Sequence, residues 1–165
     1  MDIHCYRSTV RTRTGANEYR YYRGNEQIGE AEAEVSPSFP VTVTGAGLTL
    51  SCRQDPGRTI FRGCSNVVSL NGGQQEYARV VYLETGVHTM ELSYDRLRVT
   101  FGDGTYRFFR DGNPVAVMRR ATPDSGPQRF WDSRWEPQMV MMATEPLPDP
   151  LALLMLSFPL LQIGM

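Results

Sequence analysis

The chain has 165 residues, of which 41% are hydrophobic and 21% charged, and its formal net charge is −1. This length and composition are typical of an ordinary globular protein, and we expect a single domain over residues 1–165. The near-zero charge argues against a nucleic-acid-binding protein driven by bulk electrostatics, because such domains usually have a pI above about 9.

Every one of the 17 basic residues is arginine. The absence of lysine excludes Schiff-base chemistry, a phosphate-loop lysine and a lysine general base. The two histidines, His4 and His88, and the three cysteines lack the short spacing of a zinc site, so the sequence predicts no metal. Since no G-x-S-x-G or G-x-G-x-x-G motif occurs, it also predicts no catalytic residue and no cofactor.

The sequence predicts no targeting segment in its first or last residues. Charged residues near the N-terminus do not fit a signal peptide, and an odd cysteine count without one is typical of free thiols in the cytoplasm. Residues 151–165 are almost wholly apolar, but 15 residues fall short of the ~20 needed to cross a bilayer. The sequence therefore predicts a cytoplasmic protein with no transmembrane segment.

Short apolar segments separated by Gly, Asn and Asp turns predict a strand-rich protein, a sandwich or a barrel. The density of proline predicts that Ala121–Gln138 is a loop over the barrel. The predicted strands are Ile3–Arg7, Glu18–Arg23, Gln27–Val35, Val41–Thr44, Leu48–Arg53, Thr59–Arg62, Asn66–Leu70, Glu76–Leu83, His88–Ser93, Leu97–Phe101, Tyr106–Arg110, Val115–Arg119 and Met139–Ala143.

Two stretches of the chain resemble each other. The segment Tyr19–Asn25, YRYYRGN, is matched by Tyr106–Asn113, YRFFRDGN, and each leads into a further strand. Equivalent hairpins in two halves of a barrel would give this pattern, and so would convergence on common hairpin chemistry.

The C-terminal segment predicts a helix over residues 150–158. Asp149 suits the N-cap and Pro150 the first helical position, while Pro159 ends or kinks the helix. The helix has apolar side chains on every face, and Ser157 is its one polar residue. Other parts of the protein must therefore cover every face. A closed antiparallel barrel of about twelve strands around this buried hydrophobic helix meets that need, since a smaller barrel fills with its own side chains.

This arrangement resembles the tubby C-terminal-like superfamily, which includes the LURP-one-related and phospholipid-scramblase-like proteins. The residues that carry the resemblance are the tail DPLALLML, from Asp149, and the hairpin Tyr106–Arg120. The resemblance implies a twelve-stranded barrel threaded by a hydrophobic C-terminal helix. Tubby itself binds phosphoinositide headgroups through basic residues, although this chain has no lysine and no polybasic run to match them.

Charge is unevenly distributed along the chain. Residues 1–23 have five arginines against two acidic residues and residues 96–134 have eight against four, whereas residues 24–95 have four against nine. If the two matching hairpins are neighbours, their arginines form one anion-binding face; the alternative is scattered arginines paired with local acids. The predicted anion-binding residues are Arg20, Arg23, Arg107, Arg110, Arg119 and Arg120.

A second candidate surface comprises Phe130, Trp131, Arg134 and Trp135, since tryptophan beside arginine suits an interface. The alternative is a loop held on the barrel by its tryptophans. The sequence thus favours a non-enzymatic cytoplasmic binding module for anionic, phosphoinositide-like headgroups, peripheral to the membrane, or for a protein partner. The alternative is a small enzyme or ligand carrier whose pocket, at a barrel mouth, is lined by His88 and carboxylates.

Overall fold

The computed structural model describes residues 2–33, 41–54, 65–70, 75–122 and 134–162, which form twelve β-strands and two short helices. The strands are β1 (Asp2–Ser8), β2 (Asn17–Arg23), β3 (Glu26–Ala33), β4 (Val41–Gly45), β5 (Leu48–Gln54), β6 (Ser65–Leu70), β7 (Glu76–Glu84), β8 (Val87–Leu92), β9 (Arg96–Gly102), β10 (Thr105–Arg110), β11 (Asn113–Arg120) and β12 (Trp135–Ala143). The helices are α1 (Asp149–Leu156) and α2 (Phe158–Leu161).

The strands form a closed antiparallel barrel. Each strand pairs with the next in the chain, and β12 pairs with β1, where Ile3 lies opposite Met141. Closure leaves none of the twelve described strands as an edge strand with unpaired N–H and C=O groups. The predicted mainly β class and closed barrel of about twelve strands are therefore confirmed.

The last strand differs from its prediction. The sequence predicted a loop that ends at Gln138, but β12 already begins at Trp135. Proline is tolerated here because Pro137 pairs with Tyr6 at a register shift, where the ladder is already interrupted. The predicted strand Thr59–Arg62 and most of the predicted loop lie outside the described residues.

Several hairpins use the tight turns that the sequence indicated. Asp103 and Gly104 connect β9 to β10 with φ of 52° and 70°, and Asp111 and Gly112 connect β10 to β11 with φ of 51° and 80°. Two consecutive residues with positive φ are typical of the type I′ turn, whose twist matches that of the flanking strands. These turns fix the register of β9, β10 and β11.

Alternation along the strands separates a core from an outer wall. On β9, Leu97 and Val99 are buried at 1% exposure or less, whereas Arg96 and Arg98 are exposed. One continuous apolar cluster includes residues from all twelve strands and both helices. The outward positions of each strand are therefore the ones that can meet a ligand in solvent.

In helix α1, residues 151–156 are all apolar and buried, and each is at most 2% exposed. The predicted N-cap was wrong: Pro148 is the cap residue, and Asp149 lies in the first turn. A carboxylate there still favours the helix dipole, and it forms an ion pair with Arg23 instead of capping. The predicted helix over 150–158 ends two residues early, because α1 ends at Leu156, and Pro159 lies in the first turn of α2.

The two matching sequences form hairpins of the same construction. In β2–β3, Tyr21 pairs with Gly29 and the register then shifts by one residue. In β10–β11, Phe108 pairs with Ala116 before the same shift. The two hairpins are not neighbours, because β1 and β12 lie between β2 and β11.

Candidate anion-binding surface

The six arginines predicted to bind an anion fall into two groups. Arg107, Arg119 and Arg120 are exposed, whereas the other three are partly buried. Two strands separate the hairpins that carry them, so the six side chains do not make one continuous face. The exposed arginines and the partly buried arginines are therefore two separate sets of side chains.

Arg110 is held by two carboxylates. Its Nε donates to Asp95 Oδ1 at 2.9 Å and its Nη2 donates to Oδ2 at 2.5 Å, while Nη1 donates to Glu145. The hydrogen bond from Arg110 holds the pKa of Asp95 below its usual value. This guanidinium is engaged by the protein.

Arg23 occupies the corresponding position at the end of β2. Its Nη1 donates to the Asp149 carboxylate and its Nη2 donates to the Leu147 carbonyl oxygen at 3.2 Å. Like Arg110, it connects a strand end to the segment that leads into α1. Both side chains act within the structure rather than as free cations.

Arg20 packs on an aromatic cluster on the outside of the barrel. Its Cζ lies 4.2 Å from the centroid of Trp135, and Arg134 Cζ lies 5.4 Å from the same ring. Trp135 is 7% exposed and packs with Tyr6 and Tyr22. This burial supports the alternative that Trp135 holds the chain on the barrel. Phe130 and Trp131 lie outside the described residues.

The exposed arginines of β9, β10 and β11 face outward together. Arg98 and Arg107 are diagonal neighbours, because Arg98 pairs with Phe109 while Arg107 pairs with Thr100. Arg119 pairs with Thr105 and is diagonal to Arg107 in the same way. We call this surface the arginine wall; its residues are Arg96, Arg98, Arg107 and Arg119.

Carboxylates are scarce around the arginine wall. Arg96 lies 3.7 Å from Glu91, whereas none of the described carboxylates forms an ion pair with Arg98, Arg107 or Arg119. The sequence reasoning missed Arg96 and Arg98. The alternation Arg-Leu-Arg-Val from Arg96, followed by a two-residue Asp-Gly turn into β10, was the signal that could have placed Arg98 beside Arg107 and Arg96 at the next outward position of β9.

A cleft of about 670 Å³ opens on the outer side of β7 to β10. Arg96 and Arg98 line it beside Leu83 and Phe109, and Asp111 is also part of the lining. Its lining also includes Thr89 and Thr100. Cationic, apolar and hydroxyl groups thus meet in one concave site, which we call the wall cleft.

A second cavity of about 470 Å³ lies beside the segment that connects β12 to α1. Ile3, Arg23 and Glu145 line it, but its two charged residues already pair with Asp149 and Arg110. His88 does not line this cavity. The proposed carrier pocket of histidine and carboxylates has no counterpart in it.

The side chains of His88, Cys5 and Cys52 are buried. His88 packs edge-on against Tyr82 and Phe158, with ring centroids 5.5 and 5.6 Å away, and burial lowers its pKa. Burial raises the pKa of Cys52 to about 12 and raises that of Cys5 as well. These thiols are therefore protonated at neutral pH. Cys64 lies outside the described residues.

Neither a protein-family model, nor a curated protein, nor a solved structure matches this chain. Among the residues that the structure describes, no three His, Cys, Asp or Glu side chains come together as a metal site. No helix in the described ranges is long and apolar enough to span a bilayer.

Proposed function

We propose that the protein is a non-enzymatic cytoplasmic binding module and that the arginine wall contacts anionic ligands. The observation that carries this proposal is the outward alignment of Arg98, Arg107 and Arg119 on adjacent strands with no carboxylate opposite them. Each instead pairs across the strands with Thr, Val or Phe residues. Their charge is available to a ligand.

The spacing of the arginine wall suits phosphate groups. Diagonal neighbours on adjacent strands are about 7–8 Å apart, a distance that several phosphates on one headgroup or on adjacent headgroups can bridge. Guanidinium forks bind phosphate through two parallel hydrogen bonds. An anionic membrane surface or a phosphorylated headgroup is therefore the ligand class that fits the wall.

We also infer that α1 lies inside the barrel, as the resemblance to the tubby C-terminal-like superfamily implies. Two glycines support this placement. A Cβ added at Gly29 or Gly45 would clash with Leu153 of the helix, so both strands approach the helix closely. A buried helix inside a rigid barrel leaves the outer wall as the place for binding.

Vesicle sedimentation tests the proposed function. The variant Arg107→Gln/Arg119→Gln is compared with Arg11→Gln/Arg13→Gln, which removes two exposed arginines from the loop between β1 and β2. Each arginine near an anionic surface contributes about 1 kcal/mol, so the wall variant should lose about 30-fold in affinity for vesicles containing phosphatidylinositol phosphates.

The control variant should bind these vesicles within about twofold of the wild type, and vesicles of phosphatidylcholine alone should bind neither protein. Equal losses in the two variants would show that net charge matters and the wall does not. Unchanged binding in the wall variant would remove the proposal outright.

A further inference from the structure

We propose that the wall cleft binds a small organic monocarboxylate with an apolar body. The cleft shares Arg98 with the arginine wall, but it is a concave site with a different ligand, so this inference goes beyond the proposed function. Three features carry it: an unsatisfied hydroxyl at the floor, a net charge near +1 in the lining, and apolar groups beside the arginines.

The floor of the cleft contains a buried hydroxyl without a partner. Thr89 faces outward, since it lies opposite Arg98 on β9 while its neighbour Met90 faces the core. Thr89 is 5% exposed, and in the described part of the chain its Oγ1 has no hydrogen-bond partner. Buried polar groups in native proteins nearly always have partners, and a ligand oxygen at this place would accept a hydrogen bond from the Thr89 hydroxyl.

The charges around the cleft favour a single negative charge. Arg96 and Arg98 contribute two positive charges to the lining and Asp111 contributes one negative charge. Glu91, 3.7 Å from Arg96, reduces the positive field further. The single negative charge of a carboxylate matches this balance, whereas the charge of a phosphate dianion would exceed the net positive charge of the lining.

The apolar lining and the size of the cleft imply an organic body on the ligand. Leu83 and Phe109 are partly buried and line the cleft beside the arginines. A volume of about 670 Å³ far exceeds that of a bare anion and lies within the usual range of ligand sites, about 300–1,000 Å³. Leu83 and Phe109 therefore give the apolar body of an aromatic or aliphatic acid groups to pack against.

Isothermal titration with 1-naphthoate tests the proposal, with 1-naphthalenemethanol as its neutral analogue and inorganic phosphate as the bare anion. The wild type should bind naphthoate at least tenfold more tightly than either. Arg98→Gln should weaken naphthoate binding about tenfold or more, because a hydrogen bond to a charged group is lost. Arg11→Gln, at an exposed position away from the cleft, should leave binding unchanged.

Thr89→Val separates a ligand contact from packing. Removing an unsatisfied buried hydroxyl should raise the melting temperature, and it should weaken naphthoate binding about threefold to tenfold. A raised melting temperature with unchanged affinity would overturn the proposal. Equal affinity for naphthoate and naphthalenemethanol, or tighter binding of inorganic phosphate, would overturn it as well.

The two proposals fail differently. Arg107→Gln/Arg119→Gln should weaken vesicle binding and leave naphthoate binding within about twofold. If vesicles do not bind but Arg98→Gln and Thr89→Val weaken naphthoate binding, the headgroup function fails and the cleft stands. If vesicles bind through the wall and naphthoate does not bind at all, the cleft proposal fails alone.

Discussion

The hairpins β2–β3 and β10–β11 share a sequence pattern and a register shift, yet they present different outer surfaces. Arg20 on β2 lies opposite Glu30, whereas Arg107 on β10 lies opposite Val117. Glu32 and Arg119 occupy the next outward positions of β3 and β11. Similar arginine-bearing strands are thus given different electrostatic surroundings by the strand opposite.

The inner surfaces of the two hairpins differ too. Gly29 in the first hairpin corresponds to Ala116 in the second, and Tyr21 corresponds to Phe108. A Cβ at Gly29 would lie 2.8 Å from the Thr44 carbonyl oxygen and would also clash with Leu153. The first hairpin therefore packs against α1 more closely than a side chain at Gly29 would allow.

The largest expected effect concerns this contact with the helix. Leu153→Ala should lower the free energy of unfolding by about 2–5 kcal/mol, and Gly29→Ala by about 1–3 kcal/mol through overpacking. The double variant should lose less than the sum, since the smaller side chain makes room for the added Cβ. Urea denaturation measures all three.

Ala116→Gly is the matched change in the second hairpin, and it should cost only about 0.5–1 kcal/mol. Strict additivity of Leu153→Ala and Gly29→Ala would contradict the close packing of Leu153 on β3.

A smaller effect is expected at the buried hydroxyl of Tyr21. Its Oη lies 2.8 Å from Ser157 Oγ between the two helices, and both residues are fully buried. Tyr21→Phe makes the first hairpin resemble the second and leaves the Ser157 hydroxyl unsatisfied, which should cost about 1–3 kcal/mol. Adding Ser157→Ala should recover part of this loss in thermal or urea unfolding. If the double variant recovers no stability, the hydrogen bond between Tyr21 and Ser157 is contradicted.

Exchanging the outward residues of β11 with those of β3 should transfer anion binding from the second hairpin to the first. Val117→Glu/Arg119→Glu gives β11 the glutamates of β3 and should reduce binding to anionic vesicles at least tenfold, since repulsion replaces attraction. Glu30→Val/Glu32→Arg makes the reverse change on β3. Its effect should be smaller because Arg20 remains packed on Trp135. A larger change from the reverse exchange would contradict the assignment of the wall.

The smallest effect concerns the ion pair of Arg110 with Asp95, whose side chain is 13% exposed. The lowered pKa of Asp95 means that its contribution is fully present above its unfolded pKa, about 3.9, and is lost as pH falls through the lower folded value. A partly exposed pair contributes about 0.2–1 kcal/mol. In urea titrations, Asp95→Asn should therefore lower stability by this amount at pH 6, and its difference from the wild type should shrink as the pH falls below about 3.9. A constant difference across this range would contradict the linkage.

Local sequence signals predicted most of the barrel because they act within one hairpin. Alternation such as Leu97 and Val99 between arginines marks a strand, and Asp111-Gly112 marks its turn. The all-apolar segment after Pro150 predicted a buried helix in the same way. These patterns need no knowledge of distant residues.

The surface arginines were harder to sort, since their partners are distant in sequence. Arg110 pairs with residues 15 and 35 positions away, and Arg23 with one 126 positions away. Only the closed barrel order shows that β1 and β12 separate the two hairpins. Arg98 and Arg107 are the exception, because the Asp103-Gly104 turn between their strands is a local signal for their diagonal pairing.

Arginine side-chain NMR tests the central claim most directly. In a chain whose 17 basic residues are all arginine, the Nε–Hε resonances report each cation, and soluble phosphoinositide headgroup can be titrated against them. We predict that the Nε–Hε resonances of Arg98, Arg107 and Arg119 shift with a common saturation curve, while those of Arg23 and Arg110 do not shift. Shifts centred on Arg23 and Arg110, or spread evenly over exposed arginines such as Arg11 and Arg53, would contradict the arginine wall as the binding surface.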